Sequence, residues 1–396
     1  MNAFNAQPPE PGSGLETLAE LRSALNSVMA LDSHTALEGG AYEFRGRLVV
    51  DSAEAFEHIY DRFTASGYTP MLFRRDGQEV VLARRGVLKP KRLNPQVNLI
   101  LFALTILSTL LSGMLIDPSP ALEVWAREHG QDVFSAALQN PAFLLDGLPY
   151  ALTLLGILGV HEMGHYVLGR LHHADVSLPY FIPLPPLGFL SFGTMGAVIL
   201  MRSPIKNRRQ LFDIGAAGPL AGLAIAIPLL IVGLATSPVQ PISAPAIQEG
   251  NSILYLLLKL WIKGRVLPGD GVDVFLNAVA FPAWFGLFIT SLNLLPIGSL
   301  DGGHVTYALF GRRQWRIART IWLIMLSFGI VLLFRLPELG LNIWLLWAVL
   351  VQLFGMAHPP PLDDITPLDA KRRAVGIFAL ILFVLLIVPL PLTVIV

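Results

Sequence analysis

Long apolar runs dominate this sequence, and a run of about 20 residues is what a helix needs to cross a bilayer. Residues 97–116, 148–168 and 211–234 are the clearest cases. In hydrocarbon, every backbone N–H and C=O must find a partner within its own segment, so such runs fold as helices. Residues 275–297, 317–334, 341–354 and 374–395 extend the pattern. The expected fold is a polytopic α-helical membrane protein of about seven spans. Composition agrees: 14% of the 396 residues are charged, against roughly 25% in soluble domains. The lipid bilayer is therefore the first expected partner. The formal net charge is zero, so no nucleic-acid partner is expected. The absence of Cys excludes disulfides, Fe–S clusters and thiolate zinc sites, and any metal must be held by His, Asp or Glu.

Residues 1–35 are expected to be a disordered lead; their first 14 residues are polar, Pro-rich and without Lys or Arg, unlike a signal or basic transit peptide. Residues 36–90 form a small soluble α+β domain. Its strand is expected at 41–50 and its helix at 51–66, with Ala55, Phe56, Ile59, Tyr60 and Phe63 at helical spacing. A hairpin follows, turning at Asp76-Gly77. No catalytic constellation lies there, and a regulatory or docking module is expected. Residues 97–312 are the membrane core, and 313–396 add C-terminal transmembrane helices. Basic residues cluster before the first span (Arg84, Arg85, Lys89, Lys91, Arg92) and at Lys206, Arg208 and Arg209. They recur at Arg312, Arg313, Arg316 and Arg319, and at Lys371, Arg372 and Arg373. Lys/Arg-rich loops stay in the cytoplasm, which places the N-terminus and these loops there. A bacterial inner membrane is the expected location.

Within the second span, His161-Glu162-Met163-Gly164-His165 fits H-E-x-x-H. Positions i and i+4 of a helix share a face one turn apart, so both imidazoles can reach one Zn²⁺. Glu162 stands beside them as a general base able to take a proton from the attacking water. Ionisable groups inside a span are costly and mark function by default. The alternative is two satisfied His and a snorkelling Glu at a helix end.

The third ligand does not follow from local spacing. No Glu lies some twenty residues on; the one acid between His165 and Asp213 is Asp175. His172 shares the face but sits about 10 Å up the helix from His165, too far to share an ion with both. Distant acids remain. Asp301 follows Asn293, Pro296 and Gly298, which break a span, and broken helices at membrane depth are tolerated where they line a polar cavity. Asp301 is the preferred ligand, with a helix N-cap as its bland reading; Asp213, at the start of the third span, is the rival. His304, one turn beyond Asp301, suits either a supporting role or a solvated face. Residues 358–364 read as a stiff Pro-rich connector and not as a site.

HEMGH, then Ala217-Gly218-Pro219, then Asn293…Pro296…Asp301-Gly302 resemble, in that order, the site-2 protease family of intramembrane metalloproteases. The resemblance spans roughly residues 97–312. It implies His161, His165 and Asp301 as zinc ligands, Glu162 as base, and a transmembrane protein as substrate, cut near the cytoplasmic face in regulated intramembrane proteolysis. Leu220-Ala221-Gly222 replaces the family's frequent Asn after Ala-Gly-Pro. Residues 178–200, too rich in Pro and Gly for a long helix, would by this resemblance be a re-entrant hairpin with a strand at 192–200. A substrate helix must unwind before cleavage, and pairing with a strand edge would hold it extended. Gly193 and Gly196 are then candidate substrate-binding positions, and Asn293 would hydrogen-bond the substrate backbone or the developing oxyanion. A cytosolic loop is the alternative for this stretch, and a contact between helices the alternative for Asn293.

Two other functions fit parts of the sequence. A transporter or metal channel also uses broken helices, but needs no Glu beside the first His. A catalytically inactive relative acting as a membrane-protein chaperone has no need of a complete His161, Glu162, His165 and Asp301 set. Oligomeric state is not legible.

Overall fold

The computed structural model describes residues 14–87, 94–185, 192–243, 246–335 and 342–395. The expected disorder of residues 1–13, the basic Lys89, Lys91 and Arg92, the residues 186–191 of the hairpin and the start of the sixth span at 341 lie outside them.

The first unit is an α+β layer. Strands β1 (Met29–Leu37), β2 (Ala41–Leu48), β3 (Tyr68–Arg75) and β4 (Gln78–Arg85) form an antiparallel sheet in the order β1-β2-β4-β3. Helices α1 (Gly14–Leu25) and α2 (Ser52–Ala65) join its core. Asp51 caps α2 through Ala53 N, and Ala55, Phe56, Ile59 and Phe63 bury the face that the spacing predicts. Asp76 and Gly77 both take positive φ, the backbone that a two-residue hairpin turn requires. Helix α1 and strand β1 fall where the sequence predicts a disordered lead. Leu21 and Leu25 close the core against Phe56, while β1 is an edge strand whose outer half is exposed. An exposed edge strand carries no alternating apolar pattern to read.

Four helical runs are long and apolar enough to cross a membrane among the described residues, which makes this a multi-pass membrane protein. They are α3 (Pro95–Ile116), the run Pro141–Leu171 ending in α6 (Leu148–Leu171), α7 (Arg208–Thr236), and Asp301–Arg335. Between α3 and α6, the short helices α4 (Pro120–Glu128) and α5 (Val133–Gln139) cover one end. The last run joins α10 (Asp301–Phe310) to α11 (Gln314–Arg335). The span expected at 275–297 is shorter, because α9 (Ala280–Asn293) starts only where Asn277 caps Val279 and Ala280. Helix α12 (Ile343–Phe354) follows, and α13 (Ala370–Leu386) stops before Pro389 and Pro391. There the chain turns into β10 (Leu392–Ile395) rather than continuing as a helix to 395.

Strands β5 (Tyr180–Pro183) and β6 (Thr194–Val198) pair antiparallel. This hairpin lies against α3, where Ser108 Oγ donates to Gly193 O at 2.6 Å, and against α9, where Phe192 stacks on Phe285 at 3.7 Å. Beyond the C-terminal end of α7, β7 (Val239–Pro241) pairs with β9 (Val272–Val274), and β8 (Ala246–Glu249) with β10. Between these pairs lies α8 (Ile253–Lys263), whose Lys259 is fully buried against Glu249 at 2.9 Å and Asp273 at 3.1 Å.

Candidate metal centre

Helices α6 and α7 cross almost in backbone contact. A Cβ on Gly164 would lie 2.7 Å from Ala217 O, and one on Gly218 would lie 2.1 Å from His165 Nε2. Gly215 faces His304 and Gly222 faces His161 in the same way. Residues 215, 218 and 222 share one face of α7 at spacings of three and four. The physical sense of Ala217-Gly218-Pro219 is thereby given: the Gly lets one helix press onto the imidazoles of the other. The small-residue spacing was visible in the sequence, but what it packs against was not.

The crossing buries His161, Glu162 and His165. His161 Nε2 and His165 Nε2 are 3.1 Å apart, and each is 3.3 Å from Asp301 Oδ2. Donors about 2.0–2.1 Å from a tetrahedral ion stand about 3.3 Å from one another. The triangle therefore matches three corners of a zinc site, and His161, His165 and Asp301 form a group placed to hold a metal ion. His165 Nδ1 sits 2.7 Å from Ile214 O. A carbonyl can only accept, so Nδ1 carries a proton and Nε2 is the nitrogen that faces Asp301.

Asn293 ends α9 with its Nδ2 at 3.4 Å from His161 Nε2, at the edge of the triangle. Gly196 has positive φ and open space where a Cβ would point. Gly193 does not: a Cβ there would lie 2.6 Å from Thr109 Cα, so that side of it is taken up by packing on α3. Asp213 is likewise drawn elsewhere, to Arg372 at 2.6 Å and His172 at 2.8 Å. His304 Nδ1 meets His358 Nε2 at 2.6 Å. Burial, and then the neighbouring His304, hold His358 far below the ordinary imidazole range, at about 3. His358 lies in the stretch that the sequence presents as a bare connector, and its Pro-rich surroundings carry no signal of this contact.

Fold and site define a class: a multi-pass membrane protein with a His-His-Asp group placed to hold a metal ion, of the metalloprotease kind and built on H-E-x-x-H. The resemblance read from the motifs holds, since residues 149–336 match the model for Peptidase family M50, the site-2 protease family. The chain is 30% identical over 261 residues to "Probable zinc metalloprotease EGY2, chloroplastic" of Arabidopsis thaliana, covering 65% of this chain and 44% of that protein. It is 29% identical over 304 residues to "Probable zinc metalloprotease EGY1, chloroplastic" of the same plant, covering 74% and 53%. The EGY2 of Oryza sativa subsp. indica is 30% identical over 265 residues, 66% of this chain and 46% of the relative. The chain thus spans about half the length of these relatives. Their names and the donor triangle agree on zinc.

Proposed function

We propose that this protein is an intramembrane zinc endopeptidase that hydrolyses peptide bonds in or near transmembrane segments of other membrane proteins, in regulated intramembrane proteolysis. The observation that carries this reading is the triangle of His161 Nε2, His165 Nε2 and Asp301 Oδ2 at 3.1–3.3 Å within apolar helices. His161, His165 and Asp301 would hold zinc, which supplies Lewis-acid polarisation of the scissile carbonyl and a lowered pKa for the attacking water. Glu162 takes the proton from that water and returns it to the leaving amine. Asn293, at the edge of the triangle, is positioned to donate to the developing oxyanion. The hairpin β5–β6, with open space where a Cβ on Gly196 would point, offers an extended chain a strand to pair with.

About seven spans remain the reading, with α9, α12 and α13 crossing in addition to the four long runs. The N-terminus and the site are assigned to the cytoplasmic side by Lys/Arg bias. That assignment is supported by one packing fact: residues 205–207, residues 362–364 and β3 lie side by side, so the chain leading into Arg208 and Arg209, the connector before Lys371–Arg373 and the N-terminal sheet share one side. A bacterial inner membrane remains the sequence-based reading of the location; the relatives, named chloroplastic, lend it no support.

The test is Glu162→Gln in the purified protein with a transmembrane model substrate. Cleavage should be lost while bound zinc stays at the wild-type level. Cleavage at the wild-type rate would sink the mechanism, and zinc flux into proteoliposomes persisting in this variant would favour a transporter.

A further inference from the structure

Residues 355–369 link α12 to α13 and read from the sequence as a passive connector. In the fold, this segment is bonded at both ends and stiff in the middle. Its first end lies on the metal-bearing region. Met356 O accepts from Gly298 N at 2.9 Å, in the break between α9 and α10. His358 is buried, and its ring meets His304, one turn after Asp301 on α10, at 2.6 Å. The backbone of His358 is held as well, its N–H donating to Gln314 Oε1 at 3.2 Å and its carbonyl accepting from Trp315 Nε1 at 3.0 Å.

The second end lies on the N-terminal sheet. Strand β3 is an edge strand. Leu72 N donates to Leu362 O at 2.7 Å, and Asp364 N donates to Leu72 O at 2.9 Å, so residues 362–364 extend the sheet in parallel. Their other edge pairs with the chain entering α7: Leu362 N donates to Ile205 O at 3.0 Å and Asp363 N to Lys206 O at 2.7 Å. Leu362 joins the core of the N-terminal layer. Asp363 is fully buried and accepts from Ile365 N and Thr366 N and from the Thr366 hydroxyl, while Ser52 Oγ meets Thr366 Oγ1 at 2.9 Å.

Between the two ends stand only Pro359, Pro360 and Pro361. Each proline ring locks φ, and consecutive prolines form a semi-rigid spacer. Such a spacer couples the position of residues 362–364 to that of His358. We propose that His358 is a positioning residue for Asp301, acting through His304, and that residues 356–366 form a strut by which the N-terminal layer sets the geometry of the metal centre. This rests on Asp301 being a metal ligand, as read above. The ordered partner of the layer is then its own chain, and whatever binds or moves the layer acts on the site.

The experiment uses full-length protein in nanodiscs and measures the zinc dissociation constant by chelator competition, alongside kcat and KM on a transmembrane substrate. The variants are His358→Leu, His358→Gln and the triple variant P359G/P360G/P361G. Outer-sphere hydrogen-bond partners of metal ligands change affinity by about 10–100-fold. His358→Leu should raise the zinc dissociation constant by up to about 10-fold, the low end for outer-sphere partners because His304 is not itself a ligand, and His358→Gln, whose amide can both donate and accept, should restore it. The triple-glycine variant keeps every bonded end and should lower kcat and weaken zinc binding with KM unchanged. Wild-type zinc affinity in His358→Leu overturns the positioning role, and a triple-glycine variant equal to wild type overturns the strut. If His358→Leu fails to fold, His358→Ala read in the same way decides the positioning role, and the triple-glycine variant decides the strut. A wild-type protein that binds no zinc would instead sink the metal-centre reading itself, which keeps the two failures apart.

Discussion

His165 donates its Nδ1–H to the main-chain carbonyl of Ile214 at 2.7 Å, and that single bond fixes which nitrogen of the ring faces Asp301. The acceptor belongs to α7, not to the helix that carries the histidine. Orientation of the donor set is therefore a property of the α6–α7 crossing.

That crossing predicts the outcome of Gly218→Ala. Helix propensity alone would favour Ala by about 1 kcal/mol. The added Cβ would lie 2.1 Å from His165 Nε2, so the ring must turn away. Zinc affinity should fall by about 10-fold or more while α-helical circular dichroism is retained. Unchanged zinc affinity would contradict the described crossing.

Asp301→Ala and Asp213→Ala should separate a ligand from an ion-pair residue. Asp301→Ala removes one corner of the donor triangle and should empty the purified protein of zinc, read by elemental analysis. Asp213→Ala should keep zinc and lose about 1–2 kcal/mol of stability, because Arg372 and His172 lose their shared carboxylate. Full zinc in the first variant, or none in the second, would reverse the assignment.

Chelation should lower the melting temperature of the wild type. A ligand bound only by the folded state stabilises it by mass action, and removing the ligand reverses this. The same chelator should leave Asp301→Ala unchanged. Equal shifts in both proteins would place the bound metal elsewhere.

The buried Lys259 predicts a pH effect at the other end of the molecule. Burial pushes the Glu249 carboxyl above the ordinary carboxylate range, although Lys259 pulls it back down. A raised folded-state value means that this group's contribution is fully present below the unfolded carboxylate range and is lost as pH rises through the folded value. Lys259→Ala removes the downward pull and leaves Glu249 and Asp273 buried without their cation. It should cost about 3–5 kcal/mol and steepen the fall of melting temperature with rising pH. A pH profile parallel to the wild type would argue against the buried network.

The sequence alone determined the long apolar helices, the Asp76-Gly77 hairpin, the α2 face and the pairing of His161 with His165. Each of these is set by spacing within a few residues, through helical or strand periodicity and turn chemistry. The break at Pro296 and Gly298 was legible for the same reason. Tertiary structure decided which acid completes the triangle. Asp301 begins α10 and Asp213 lies in the second turn of α7, and only the packing of α7 against α6 and α10 brings one to the imidazoles while Arg372 holds the other. It also decided that Gly193 serves packing on α3, that α1 and β1 complete the N-terminal layer, and that a Pro-rich connector touches His304. Local sequence carries no record of these, because each depends on a neighbour brought close by the crossing of helices or the edge of a sheet and not by the chain itself.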